Sequence, residues 1–91
     1  MHILSDFQPG DRVIVAYYDG NEVDIQRHNG QVGTVIRHNG GFVVVDHDVK
    51  FRPDLDDDKR NAPNGNAWPY YPKELEFVNY PTEGVVINDL L

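Results

Sequence analysis

The chain has 91 residues, no cysteine, and a net charge of −7 from eight basic and fifteen acidic side chains. That length fits one domain, and a chain this short buries only about 60% of its unfolded surface, so a thin core is expected. The composition excludes disulfides, thiolate nucleophiles and zinc–thiolate sites, no apolar run nears the roughly 20 residues that span a bilayer, and the acidic balance opposes binding to a phosphate backbone.

Charge is unevenly spread. Residues 1–48 carry three Arg against seven acids (3 − 7 = −4), residues 49–67 balance four against four, and residues 68–91 carry one Lys against four acids (1 − 4 = −3). A basic protein partner therefore fits better than a nucleic acid, with no membrane association and a cytoplasmic location expected.

Gln8-Pro9-Gly10-Asp11 is turn chemistry, and Arg12-Val13-Ile14-Val15-Ala16-Tyr17-Tyr18 after it has strand composition. Asp19-Gly20-Asn21 ends that strand, and residues 19–30 read as a polar excursion in which only Val23 and Ile25 could reach a core. The tetrapeptide Arg27-His28-Asn29-Gly30 recurs as Arg37-His38-Asn39-Gly40, each copy followed by an apolar segment. Turn chemistry used twice accounts for the repeat. Asn39-Gly40 predicts a type I′ hairpin between strands at about 31–38 and 41–48, because both central residues of that turn need positive φ. Gly33, inside the first of these strands, predicts a bulge or a close backbone approach.

Residues 49–67 hold Asp54-Leu55-Asp56-Asp57-Asp58, two prolines and Asn64-Gly65-Asn66, which predicts a long exposed loop. Ala67-Trp68-Pro69-Tyr70-Tyr71 restores order. Pro72-Lys73-Glu74-Leu75 then predicts one helical turn, since Pro suits the first helical position, and Glu76-Phe77-Val78 a short final strand. The segment 81–91, with Val85-Val86-Ile87, is expected to be an added strand or a docking tail. No stretch shows sustained helical periodicity. The expected fold is all-β: a small five-stranded SH3-like barrel over residues 1–80, with long loops and one short helical turn before the last strand.

Four segments carry a resemblance: Pro9-Gly10-Asp11-Arg12-Val13-Ile14-Val15, Gly30-Gln31-Val32-Gly33-Thr34-Val35, Val43-Val44-Val45-Asp46, and Pro72-Lys73-Glu74-Leu75-Glu76-Phe77-Val78. Together they resemble SH3-like barrels of the KOW, Mind-bomb and photosystem I subunit IV type, and the turn around Leu75 is similar to one in the ferredoxin–thioredoxin reductase variable chain. The resemblance covers roughly residues 7–78 and implies a binding scaffold whose specificity sits in its loops. KOW proteins usually carry a basic RNA-facing loop, where this chain has Glu22-Val23-Asp24-Ile25-Gln26-Arg27-His28.

Nucleophilic catalysis of the triad type needs Ser, Thr or Cys beside a base. The only serine is Ser5, near the terminus and outside any nucleophile elbow, so no catalytic residue, cofactor or enzymatic activity is expected. Asp46-His47-Asp48 has ligand chemistry, but strand alternation turns His47 away from both acids. Asp54-x-Asp56-x-Asp58 imitates the start of a calcium loop, with Lys59 and Gly65 where Gly and Glu would be needed. No metal site is expected.

Tyr17, Tyr18, Trp68, Tyr70 and Tyr71 concentrate five of the ten aromatic residues in two short stretches. Tyr and Trp dominate interface hot spots, so these five are the candidate partner-binding residues, an aromatic patch edged by acids. The expected role is a small accessory or regulatory protein that binds a larger protein, of a kind that would suit a phage or bacterium, as monomer or homodimer. Two alternatives are a KOW-like component touching RNA through Arg12, Arg27, Arg37 and the Arg52–Arg60 loop, and a self-assembling structural subunit.

Overall fold

The computed structural model describes residues 2–78, so the expectation for 81–91 falls outside the described residues. Five strands form one antiparallel sheet in the order β4-β3-β2-β1-β5: β1 Arg12–Val15, β2 Val32–Asn39, β3 Phe42–His47, β4 Ala67–Tyr70 and β5 Leu75–Phe77. The sheet is open, with β4 and β5 at its edges. Single 3₁₀ turns occupy Leu4–Asp6 and Pro72–Glu74, the second where Pro72 predicts one. Among the described residues no helix is long and apolar enough to cross a membrane.

The expected order of strands is found, with three local corrections. First, β1 stops at Val15, because the amides of Ala16 and Tyr17 both turn to the Glu74 carbonyl instead of extending the ladder to β2. Second, the polar excursion contains an α-helix, α1 Glu22–His28. Asn21 caps it by accepting from the Asp24 amide at 2.9 Å, and Glu22 and Asp24 in the first turn with Arg27 and His28 in the last complement its dipole. Two turns are too short to set up a periodic apolar face. The helix instead buries His28 while Val23 stays exposed.

Third, the β2–β3 turn is Gly40-Gly41. Asn39 pairs with Phe42 as the last rung of the ladder, and only Gly40 of these residues has positive φ (59°). A two-residue loop with positive φ at its first position has the pattern of a type II′ turn rather than I′. Gly33 is a close approach: a Cβ there would lie 2.6 Å from Val45 Cγ1 and 2.7 Å from the Asp46 carbonyl oxygen. The bulge sits three residues further on, at Ile36, where the register shifts between Val35 and Arg37.

Strand alternation sends Val13, Val15, Val35, Val43, Val45 and Tyr70 to one face, where they meet Phe7 and Leu75 in the main core. β3 is buried on its other face as well. Val44 packs there with Ala62 and Ala67, flanked by Ile36, and Leu55 is also buried. The segment 49–67 is thus in part a folded cover and not only an exposed loop. The Asp46 carboxylate anchors it by accepting the amides of Asn64 (2.7 Å) and Asn66 (3.0 Å), and Asp56 exchanges a pair of main-chain bonds with Ala67. Buried carboxylates bonded to backbone N–H groups in this way hold a loop firmly.

Candidate functional site

Trp68 and Tyr70 are two residues apart on β4 and share a face, opposite Val45 and Val43 of β3. That face is the core, so Tyr70 is fully buried, at 0% exposure. The expectation that Tyr70 belongs to a surface patch is corrected. Its ring fills the space between α1 and β3, and its hydroxyl lies 2.6 Å from His28 Nδ1 and 2.7 Å from His47 Nε2.

The direction of these bonds follows from Arg52. Its Nη1 sits 2.9 Å from His28 Nε2, and a guanidinium can only donate. Nε2 of His28 is therefore the acceptor, Nδ1–H donates to the Tyr70 oxygen, and the Tyr70 proton goes on to His47 Nε2. Burial, reinforced for His28 by the Arg52 charge, holds both imidazoles down to about 4, so both are neutral at neutral pH as this direction requires. Burial likewise keeps the Tyr70 phenol well above its ordinary value. The relay ends at His47 Nδ1, which is buried near the Val32 carbonyl without a well-formed hydrogen bond among the described residues. Because His28, His47 and Tyr70 are all inaccessible, the network pins α1 to β3 and β4 and lies out of reach of a solute.

Two other candidate aromatics wall this network. Tyr18 stacks on the His28 ring at 4.0 Å between centroids, and Trp68 lies 5.0 Å from it. Phe51 meets both His28 and His47 edge-on at 4.8 Å. Arg52 covers the outside, its guanidinium 4.4 Å from the Trp68 ring and paired with Asp54 at 2.5 Å and Asp24 at 3.5 Å. Tyr18 and Trp68 are consequently half-buried.

Tyr17 and Tyr71 differ from these three, with exposures of 65% and 48%. One buried residue holds their main chains together. Glu74 accepts the amides of Tyr71 (2.6 Å) and Asp19 (2.7 Å) with its carboxylate, and the amide of Tyr17 with its carbonyl (3.1 Å). Phe42 packs against Tyr71 at 4.7 Å, and Lys73 reaches Asp19 at 3.5 Å beside the Tyr71 ring. The five candidates thus divide into an inner group, Tyr18, Trp68 and Tyr70, and an outer pair, Tyr17 and Tyr71.

Comparison with known protein families, curated proteins and solved structures finds no match. What the site can do rests on its own geometry.

The acids considered as metal ligands are engaged elsewhere. Asp46 holds the cover segment. Asp48 forms a two-point pair with Arg12 at 2.6 and 2.8 Å, whose hydrogen bond holds the carboxyl below its usual range. His47 faces the core on the opposite side. Asp54 and Asp58 pair with Arg52 and Arg60, and Asp56 accepts the Asp58 amide. His28, Arg52 and Glu74 escape a reading by residue type. A signal existed for the helix that carries His28, though not for its burial, since Asn21 followed by Asp24 marks a helix start, and alternation from Val43 and Val45 puts His47 inward.

Proposed function

We propose that this chain is a non-enzymatic interaction domain that binds a basic segment of a larger protein through Tyr17 and Tyr71, with Phe42 beside them and Tyr18 and Trp68 at the margin. The observation that carries this reading is the Glu74 clamp. It fixes the two most exposed aromatic residues among those described to one buried carboxylate-bearing turn, so their main chains are ordered before binding and less entropy is lost on contact. Asp19 and the acidic balance of the chain suit a cationic partner. An SH3-like scaffold is supported by the strand order, the bulge at Ile36 that bends β2, and the 3₁₀ turn leading into β5; closure of the sheet into a barrel is part of the proposal.

The test is capture of partners from a bacterial lysate, with and without nuclease, by the native chain and by the double variant Tyr17→Ala/Tyr71→Ala. Both side chains are exposed, so the variant keeps its fold. A nuclease-resistant protein that the variant fails to retain supports the proposal. Equal retention by the folded variant overturns it. Partners lost on nuclease treatment favour the RNA-contacting alternative, whose binding should weaken steeply with salt, and a concentration-dependent mass favours self-assembly.

A further inference from the structure

The sequence has three Asn-Gly pairs, Asn29-Gly30, Asn39-Gly40 and Asn64-Gly65. Asn-Gly is the dipeptide in which the following amide nitrogen most readily attacks the side-chain carbonyl carbon, since glycine adds no steric hindrance. The three pairs stand in different surroundings, and the reaction needs both an Asn side chain free to swing and a following amide free to leave its hydrogen bond.

Two pairs are restrained at both points. The Asn29 side-chain oxygen accepts the Tyr18 amide at 2.9 Å, and the Gly30 amide donates to Val15 at 2.8 Å. Asn64 donates through its side-chain amide to the His47 carbonyl at 3.2 Å, its own amide is held by Asp46, and the Gly65 amide donates to Ala62 at 2.7 Å. No such restraint acts at the third. Asn39 and Gly40 are exposed, the Gly40 amide donates to no backbone carbonyl among the described residues, and open space surrounds the Cβ positions of Gly40 and Gly41. Only the last rung of the hairpin, Asn39 with Phe42, must fray to permit ring closure, and fraying at such an end costs little.

We infer that Asn39 is a site of spontaneous modification, converting through a succinimide to aspartate and isoaspartate while Asn29 and Asn64 are spared. The deprotonated Gly40 nitrogen bonds to Cγ of Asn39, the Cγ–Nδ2 bond breaks and ammonia leaves. Water then opens the ring at either carbonyl, so the whole change consumes one water, releases one ammonia and involves no oxidant. The product adds a negative charge, and the isoaspartate form adds a methylene to the main chain, directly across from the Phe42 that rests against Tyr71. The aged protein therefore differs from the fresh one beside its exposed aromatic pair.

The experiment incubates the intact chain at mildly alkaline pH, folded and in strong urea, and follows each Asn-Gly peptide by mass spectrometry with isoaspartate resolved. In the folded protein Asn39 should convert roughly tenfold or more faster than Asn29 or Asn64, because each of those must first break hydrogen bonds. In urea the three rates should converge. Conversion of Asn29 or Asn64 as fast as Asn39 in the folded chain overturns the inference, as does an inert Asn39 beside reactive pairs in urea. The variant Asn39→Gln, whose ring closure is far slower, should lose the acidic species that accumulates on charge separation of the aged folded chain. Its persistence in that variant overturns the assignment.

Discussion

Tyr70 gives its hydroxyl proton to Nε2 of His47, 2.7 Å away, because the other side of the same oxygen is already occupied by the Nδ1–H of His28. The order of donors begins at Arg52, the one group in the network whose role is fixed by chemistry alone. A single phenol thereby supplies one hydrogen bond to each of two buried imidazoles from two different elements.

Tyr70→Phe keeps the ring and removes only that oxygen, leaving a donor on His28 and an acceptor on His47 buried without partners. The expected loss is about 2–4 kcal/mol of stability, read in urea as a lower midpoint with an unchanged slope. Tyr71→Phe, at an exposed ring, should change stability by less than ~0.5 kcal/mol.

The two histidines also set a pH dependence. Their folded values, about 4, lie below the ordinary 6.5, so between those limits the unfolded chain binds more protons than the native one. Stability is then full above about pH 6.5 and falls as pH drops toward about 4, with an upper bound of ~3 kcal/mol per ring. Tyr70→Phe should not flatten this slope, because burial is its main cause. Titration of the ring signals by nuclear magnetic resonance checks the sign. Midpoints for His28 or His47 near or above 6.5 in the folded protein would contradict it.

Gly33→Ala drives a Cβ into Val45 Cγ1 and the Asp46 carbonyl oxygen across the β2–β3 ladder, with the His47 Cα at 3.0 Å, and the two main-chain atoms of β3 cannot swing aside. A destabilisation of at least ~2 kcal/mol is expected. Gly41→Ala is the matched control: no atom lies within 4 Å of its added Cβ and φ there is not positive, so its midpoint should stay within ~0.5 kcal/mol of the native chain. Equal effects of the two substitutions would show that the close approach at Gly33 does not exist.

Strands were legible in the sequence, and so was the pairing of β2 with β3, because alternation and turn chemistry act over neighbours along the chain. The doubled Arg-His-Asn-Gly marks where that stops. Gly30 and Gly40 both adopt positive φ (92° and 59°), so the turn reading holds for each glycine. The three residues before them end a helix in one copy and a strand in the other. His28 is buried and His38 exposed, a difference decided by what precedes each copy: the Asn21 cap upstream of one and the β2 ladder upstream of the other. The aromatic residues of β4 were separable in principle by alternation, which sends Trp68 and Tyr70 one way and Pro69 the other. Which of those faces is the core depends on β3, and β3 is buried on both. Arg52 and Glu74 depend on contacts between segments 24 and 55 positions apart, beyond any local pattern.

Asp46 grips the segment after β3 by the amides of residues 64 and 66. Any residue but proline supplies such a donor, so this attachment makes its demand on position 46 and on the path of the chain, and little on which side chains travel along that path. The stretch between β3 and β4 is consequently free to drift in composition at its outward positions, such as Asp57, Lys59 and Asn61, while staying fastened to the sheet. New surface chemistry could arise there without the scaffold having to be rebuilt.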